Sequence, residues 1–250
     1  MKLSLSARAF IALVIVLGLC VLGSAIVSAS ASYATPFVAF LLVTCLAARL
    51  KVKLPGLTGS MSVNLPFILV AVAEMSLIEA LIVGCLSNLM QYLPRTRKKF
   101  NPVQAAFNFG VMALAVGTTH LIYGSAAVVK VASSPSLRLG IAAAGFFLVN
   151  TVAVAIVMFL TEGKSIPHTW LELFQLSFPY FLASAGVAGV ALTLASRVGW
   201  QVPLSILPLM WGVFYCYRRY FSPLPQIFAD ALRKPTQPEQ PMAAGGEIRA

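Results

Sequence analysis

Acidic residues are nearly missing from this chain: seven Asp and Glu stand in 250 residues, against 18 Lys and Arg. Histidine occurs twice, at His120 and His168, and the four cysteines, Cys20, Cys45, Cys85 and Cys216, lie one each in separate apolar runs with no Cys-x-x-Cys pair. The shortage of carboxylates excludes a dense acidic cluster of the kind that binds hard cations or performs acid–base chemistry. The scattered thiols exclude the usual zinc and redox patterns and read as small packing residues. Glu74, Glu79, Glu162 and Glu172 fall near helix ends rather than at mid-membrane depth. The expectation is a protein that is not an enzyme and uses no cofactor or metal.

What is present is apolar. Hydrophobic residues make up 59% of the chain and charged residues 10%, and the mean hydropathy is +0.89, which is the composition of an integral membrane protein. A membrane crossing takes roughly 20 apolar residues, so this length accommodates about eight crossings and no soluble catalytic domain. The net charge of +11 raises the question of nucleic acid. The basic residues answer it by falling in small collars between apolar runs, without a basic stripe interleaved with aromatics, so no nucleic acid is expected.

The predicted fold class is all-α, a polytopic transmembrane bundle. The first run is Phe10–Ser28, a retained span or signal anchor that also has the outline of a cleavable signal peptide. The second opens with Thr35 as a cap and Pro36 at the first helical position, and closes at Arg49, Lys51 and Lys53. After the turn-forming segment 54–60 comes a third, Val63 to Ala73, which is too short to span unaided and so is re-entrant, tilted or buried in protein.

Ser76-x-x-Glu79 has capping-box spacing and opens a fourth helix, Leu77 to about Leu93; Asn101-Pro102-x-Gln104 opens a fifth, Pro102 to about Ile122. The sixth runs from Leu139 to Leu160. A seventh starts at a second capping box, Thr169-x-x-Glu172, is kinked at Pro179 and ends near Ala195; the last spans Gln201 to Tyr217. Residues 1–217 thus form the membrane domain. The tail, 218–250, contains a short interfacial helix near Pro223–Leu232 and is disordered from Lys234.

With eight spans and both termini cytoplasmic, 15 of the 18 basic residues lie on the cytoplasmic side, leaving Lys130, Arg138 and Arg197 outside. Loss of one internal span would invert every later loop and destroy that bias. The expected location is the bacterial inner membrane. The expected partners are the bilayer itself, anionic lipid at the basic cytoplasmic loops, and protein partners or further copies of the chain.

The candidate site is made of amides. On the fourth helix Gly84, Asn88 and Gln91 share one face, and on the fifth Asn101, Gln104 and Asn108 share another. Asn64 occupies the start of the third. Asn64, Asn88, Gln91, Gln104 and Asn108 therefore either hydrogen-bond between helices or form a ligand-binding pocket near the cytoplasmic face, rimmed by Lys51, Lys53, Arg95 and Arg97. Asn150 is a separate intramembrane amide at the centre of the sixth helix. Ala185-x-x-x-Gly189 and Gly140-x-x-x-Ala144 mark close helix contacts, within the chain or between copies.

Leu50-Lys-Val-Lys-Leu-Pro-Gly-Leu-Thr-Gly-Ser-Met-Ser-Val-Asn64, the stretch from Glu74 to Gln91, and Asn101-Pro-Val-Gln-Ala-Ala-Phe-Asn108 resemble a multi-span module. That module is found N-terminal to HD-GYP or GGDEF signalling domains in some bacteria. The resemblance covers roughly residues 36–196 and implies a membrane sensory function. Only 31 residues follow Arg219, so the output domain of that arrangement is missing from this sequence. A second, weaker likeness is to the substrate-capturing subunits of energy-coupling-factor transporters. The expected function is a sensory or small-ligand-binding membrane module acting through partner proteins; the alternatives are a transporter's substrate-binding subunit and a structural subunit of a larger complex.

Overall fold

In the computed structural model the described residues are 4–28, 34–53, 60–92, 101–199 and isolated positions between 206 and 219. They form α1 (Leu5–Val27), α2 (Ala34–Ala48), a two-stranded antiparallel ribbon of β1 (Lys51–Lys53) and β2 (Ser60–Ser62), α3 (Leu65–Glu74), α4 (Leu77–Tyr92), α5 (Pro102–Gly124), α6 (Ala126–Val131), α7 (Pro135–Glu162) and α8 (Ile166–Val198). The eighth predicted span and the tail lie almost wholly outside the described residues. The ribbon and the six-residue α6 are additions to the predicted pattern.

Local chemistry sets most of the helix starts. Asn101 accepts the Gln104 N–H at 3.3 Å with Pro102 in the first turn, as its spacing predicts. At α4 the carboxylate of Glu79 takes the Ser76 N–H at 3.0 Å and the Ser76 hydroxyl at 2.6 Å. The α7 start uses Ser134, which accepts from Leu137, and its end is the left-handed Gly163, φ 71°, whose N–H reaches the Phe159 carbonyl.

Three starts differ from prediction. α1 begins at Leu5 because Ser4 accepts the Ala7 N–H at 3.2 Å, which brings Arg8 into the first turn. α2 begins at Ala34, so Thr35 and Pro36 lie within its first turn. The capping box at Thr169 and Glu172 is not formed: α8 starts at Ile166, and the Thr169 N–H bonds to the Ser165 carbonyl inside the helix. Pro167 is the reason, since proline is tolerated in a first turn and Ser165 stands before it. From there α8 continues as one helix through Pro179, where the Ser177 hydroxyl donates to the Leu173 carbonyl.

The centre of the bundle is α3. Every residue from Leu65 to Val72 is buried, and α2, α4, α5, α7 and α8 all touch the helix. A helix apolar on all sides must be enclosed. Its ten residues rise about 15 Å, half of a hydrocarbon layer of roughly 30 Å, too short to cross it unaided.

α1 packs mainly against α5, and its buried residues Ala7, Ile11, Val14, Gly18 and Ala25 form one stripe at spacings of four, three, four and seven. The α7–α8 contact is aromatic: Phe147 meets Phe174, Phe178 and Phe181 edge-on, with centroids 4.8 to 5.9 Å apart. Large apolar side chains such as Leu17, Val27, Leu46, Leu182 and Val190 face outward.

Four helical segments are long and apolar enough to cross a membrane: α1, α5, α7 and Ser177–Ala195 within α8. Segments Phe37–Ala48, Leu65–Glu74 and Leu77–Gln91 are apolar but shorter. A helical membrane protein accounts for both the four long segments and the outward apolar surface.

Candidate functional site

The predicted amides are partly gathered. Asn64, the residue before α3 and 4% exposed, makes no side-chain cap and instead donates from Nδ2 to the Ser87 hydroxyl on α4 at 2.9 Å. The Ser87 hydroxyl in turn donates to the Gly84 carbonyl at 3.0 Å, so it acts as acceptor and donor at once. One residue further along α4, Asn88, 7% exposed, donates to the main-chain carbonyl of Asn108 on α5 at 3.0 Å. A polar line therefore runs from the start of α3 through α4 to α5.

Of the remaining predicted residues, Gln91 and Asn108 are half-buried and take part in further interactions. Gln104 is exposed and contributes its N–H to the Asn101 cap, away from the line. The rim residues Arg95 and Arg97 lie outside the described residues. Ser87 is the member that sequence reasoning missed. Its signal was a hydroxyl three residues after Gly84, a spacing that lets a helical serine bond back to a carbonyl.

On α4, Gly84 and Asn88 both face α5. A Cβ on Gly84 would stand 2.8 Å from a Val116 methyl of α5, on the face that also carries Asn88. On α8, Gly189 faces Ser136 of α7, whose hydroxyl donates to the Gly189 carbonyl at 2.9 Å. Gly140 and Ala144 do not make the expected contact within the chain: the space at Gly140 is open and Ala144 is exposed, while Gly145 one residue later packs against Ile122. Asn150 is half-buried and has no hydrogen-bond partner among the described residues. Its neighbour Thr151 takes the interhelical role, accepting from Trp170 Nε1 at 3.2 Å.

The two histidines are at opposite ends of the bundle. His120 lies at the end of α5, directed at the Val72 carbonyl of α3. His168 lies at the start of α8, with Nδ1 3.3 Å from Glu172, so Glu172 pairs within its helix rather than capping it. Nearby, Lys164 Nζ stands 2.8 Å from Glu162, and that hydrogen-bonded carboxylate holds the exposed ammonium above its usual pKa. All four cysteines are free. Among the described residues no group of three or more His, Cys, Asp or Glu is placed to hold a metal.

The chemistry available at the amide line is uncharged donation and acceptance within a buried helical layer. Comparison of the chain with protein-family models, with curated proteins and with solved structures finds no match to any of them.

Proposed function

We propose that this chain is a polytopic protein of the bacterial inner membrane, with about eight spans and both termini cytoplasmic. We infer further that it is a non-enzymatic sensory or small-ligand-binding module that acts through partner proteins. The observation that carries this reading is the pair of hydrogen bonds from Asn64 to Ser87 and from Asn88 to the Asn108 carbonyl, at the start of α3, whose residues Leu65–Val72 are all buried. Apolar packing alone can hold a core helix. Buried amides add a desolvation cost, recovered only while each finds a partner. A small polar ligand that competes for these donors would shift α3 against α4, which is the kind of element a sensor needs.

The resemblance to modules that precede cyclic-dinucleotide signalling domains supports the sensory form of the proposal, and the placement of 15 of 18 basic residues on one side of an eight-span topology supports the orientation. The experiment is native mass spectrometry of small molecules retained by the protein from mild detergent, comparing wild type with Asn64→Leu and Asn88→Leu. Retention of the same molecules in equal amount by folded variants removes the site. Orientation is tested separately by Lys130→Cys and Lys164→Cys in a background without the native cysteines. Labelling of both from the same side of the membrane removes the topology.

One observation favours a second reading, a solute-transport subunit: α3 has half the length of a spanning helix and is enclosed by protein, as are the broken helices of many transporters. Uptake into vesicles with and without an added ATPase partner distinguishes it, and absence of solute accumulation in both removes it.

A further inference from the structure

The one charged residue between His120 and Arg138 is Lys130, in α6, the short helix that joins α5 to α7. Alanine and valine make up the rest of α6, and none of its residues is buried: five of the six are exposed and Val128 is half-buried. Val131 is 80% exposed and Val129 44%. The helix packs mainly on the two neighbours that it connects.

Six residues are too few for a helix to persist alone in water. Here both ends are fastened. The Ser125 hydroxyl accepts the Val128 N–H at 3.3 Å and donates to the Ile122 carbonyl at 3.0 Å, tying the start of α6 to the end of α5. At the other end the Ala132 N–H reaches the Val128 carbonyl at 2.8 Å, and Ala132 itself is fully buried. The chain thus holds in fixed form a helix whose apolar surface it leaves mostly open.

That surface is two-sided. At 3.6 residues per turn, Val128, Val129 and Val131 fall within an arc of about 160°, and Lys130 lies opposite its middle, beside Ala126 and Ala127. The apolar side continues outward on both flanks, at Leu121 near the end of α5 and Leu137 in the first turn of α7, each exposed.

Helix lengths give its depth. α5 has 23 residues and α7 has 28, which rise about 35 and 42 Å and exceed a hydrocarbon layer of roughly 30 Å, so their joined ends emerge among the lipid headgroups. Tyr123 and Arg138 stand at that level, with the guanidinium carbon 5.4 Å from the ring centre, and both residue types favour a membrane interface.

We infer that α6 is an interfacial anchor lying along the bilayer surface at this end of the bundle, on the leaflet opposite the basic cytoplasmic loops. Its valines enter the boundary between headgroups and acyl chains, and Lys130 extends outward to the phosphate of an anionic lipid. This inference rests on the membrane reading above, and the experiment separates the two.

The full chain, without its native cysteines, carries a nitroxide at Val131→Cys in nanodiscs of phosphatidylcholine and phosphatidylglycerol. Collision with oxygen relative to a neutral nickel chelate reports depth. Leu182→Cys, on the outward face of α8, is the reference for lipid, and Lys164→Cys the reference for water. The Val131 position is expected to fall between them. Equality with Lys164 places α6 in water and overturns the inference; protection from both reagents places protein over it and does the same. If Leu182 itself reports water, the membrane reading fails and the inference with it. Should Val131→Cys not fold, Val129→Cys repeats the measurement.

A fluorophore on the same cysteine tests the headgroup. Spin-labelled phosphatidylglycerol should quench it about fivefold more effectively than spin-labelled phosphatidylcholine, the preference of one lysine for an anionic surface. Lys130→Gln should abolish that preference. Equal quenching in wild type, or a preference that survives Lys130→Gln, overturns the contact between Lys130 and lipid phosphate.

Discussion

A Cβ atom on Gly18 would stand 2.7 Å from the Cα of Gly110 and 2.9 Å from its carbonyl oxygen. α1 and α5 thus cross backbone to backbone, and a Cβ on Gly110 would in turn stand 2.8 Å from the Val14 carbonyl oxygen. No side-chain rotation can relieve such a contact. Gly18→Ala is expected to destabilise the fold by about 1–3 kcal/mol, the usual cost of overpacking, and Gly18→Leu by more. Gly23→Ala, where nothing lies within 4 Å, is the control and is expected to be neutral or slightly stabilising. Thermal unfolding in one detergent checks all three, and equal midpoints for Gly18→Ala and Gly23→Ala would contradict the close crossing.

Ser87 links α3 to α4 through a hydroxyl that both accepts and donates. Ser87→Ala leaves the buried Asn64 Nδ2 without that acceptor, at an expected cost of about 1–3 kcal/mol. Asn64→Leu removes the donor as well. In a double-mutant cycle the pair should couple by roughly 0.5–2 kcal/mol, in the range found for hydrogen bonds between membrane helices. Additive losses in a steric-trapping measurement would show that the bond contributes nothing.

The turn between α3 and α4 depends on one carboxylate. Glu79→Ala frees both the Ser76 N–H and its hydroxyl and should cost about 0.5–2 kcal/mol, as loss of a helix cap does. Hydrogen exchange at the start of α4 is the direct measure: faster exchange is expected there, with α5 unaffected.

Trp170 combines a hydrogen bond with ring packing, since its Nε1–H reaches Thr151 while its ring lies 5.5 Å from that of Phe174. Trp170→Phe keeps the aromatic contact and loses only the bond, so its cost should be about 1 kcal/mol, and Trp170→Ala should cost several times more. Equal midpoints for the two variants would place the whole effect elsewhere.

The exposed Lys164–Glu162 pair has a defined pH window. The carboxylate raises the lysine pKa, so the contribution to stability is fully present below the unfolded lysine's pKa and disappears as pH rises through the folded value. Neutral to mildly alkaline conditions lie below that window. Glu162→Gln is therefore expected to leave the pH dependence of the thermal midpoint unchanged across neutrality, and a new slope there would show a deeper role for the pair.

Much of the secondary structure was legible because its causes are local. Asn101 with Pro102, and Ser76 with Glu79, announce helix starts through atoms only three residues apart. The same reasoning misplaced the start of α8, where Thr169 and Glu172 have the right spacing but Pro167 and Ser165 come first in the chain. Asn88 was found because amides stand out in an apolar helix; Ser87 was passed over because a helical serine commonly satisfies itself on a preceding carbonyl.

By itself the sequence determined a helical, membrane-type chain, the approximate helix limits and the shortness of α3, because apolar run length and capping chemistry act along the backbone. Only the tertiary structure decided which helices meet. Gly18 finds Gly110 from 92 positions away, Arg138 lies over Tyr123, and Asn64 reaches Ser87 on α4. The physical reason is that such contacts depend on how helices rotate and cross, which many residues set together, whereas a cap depends on one turn.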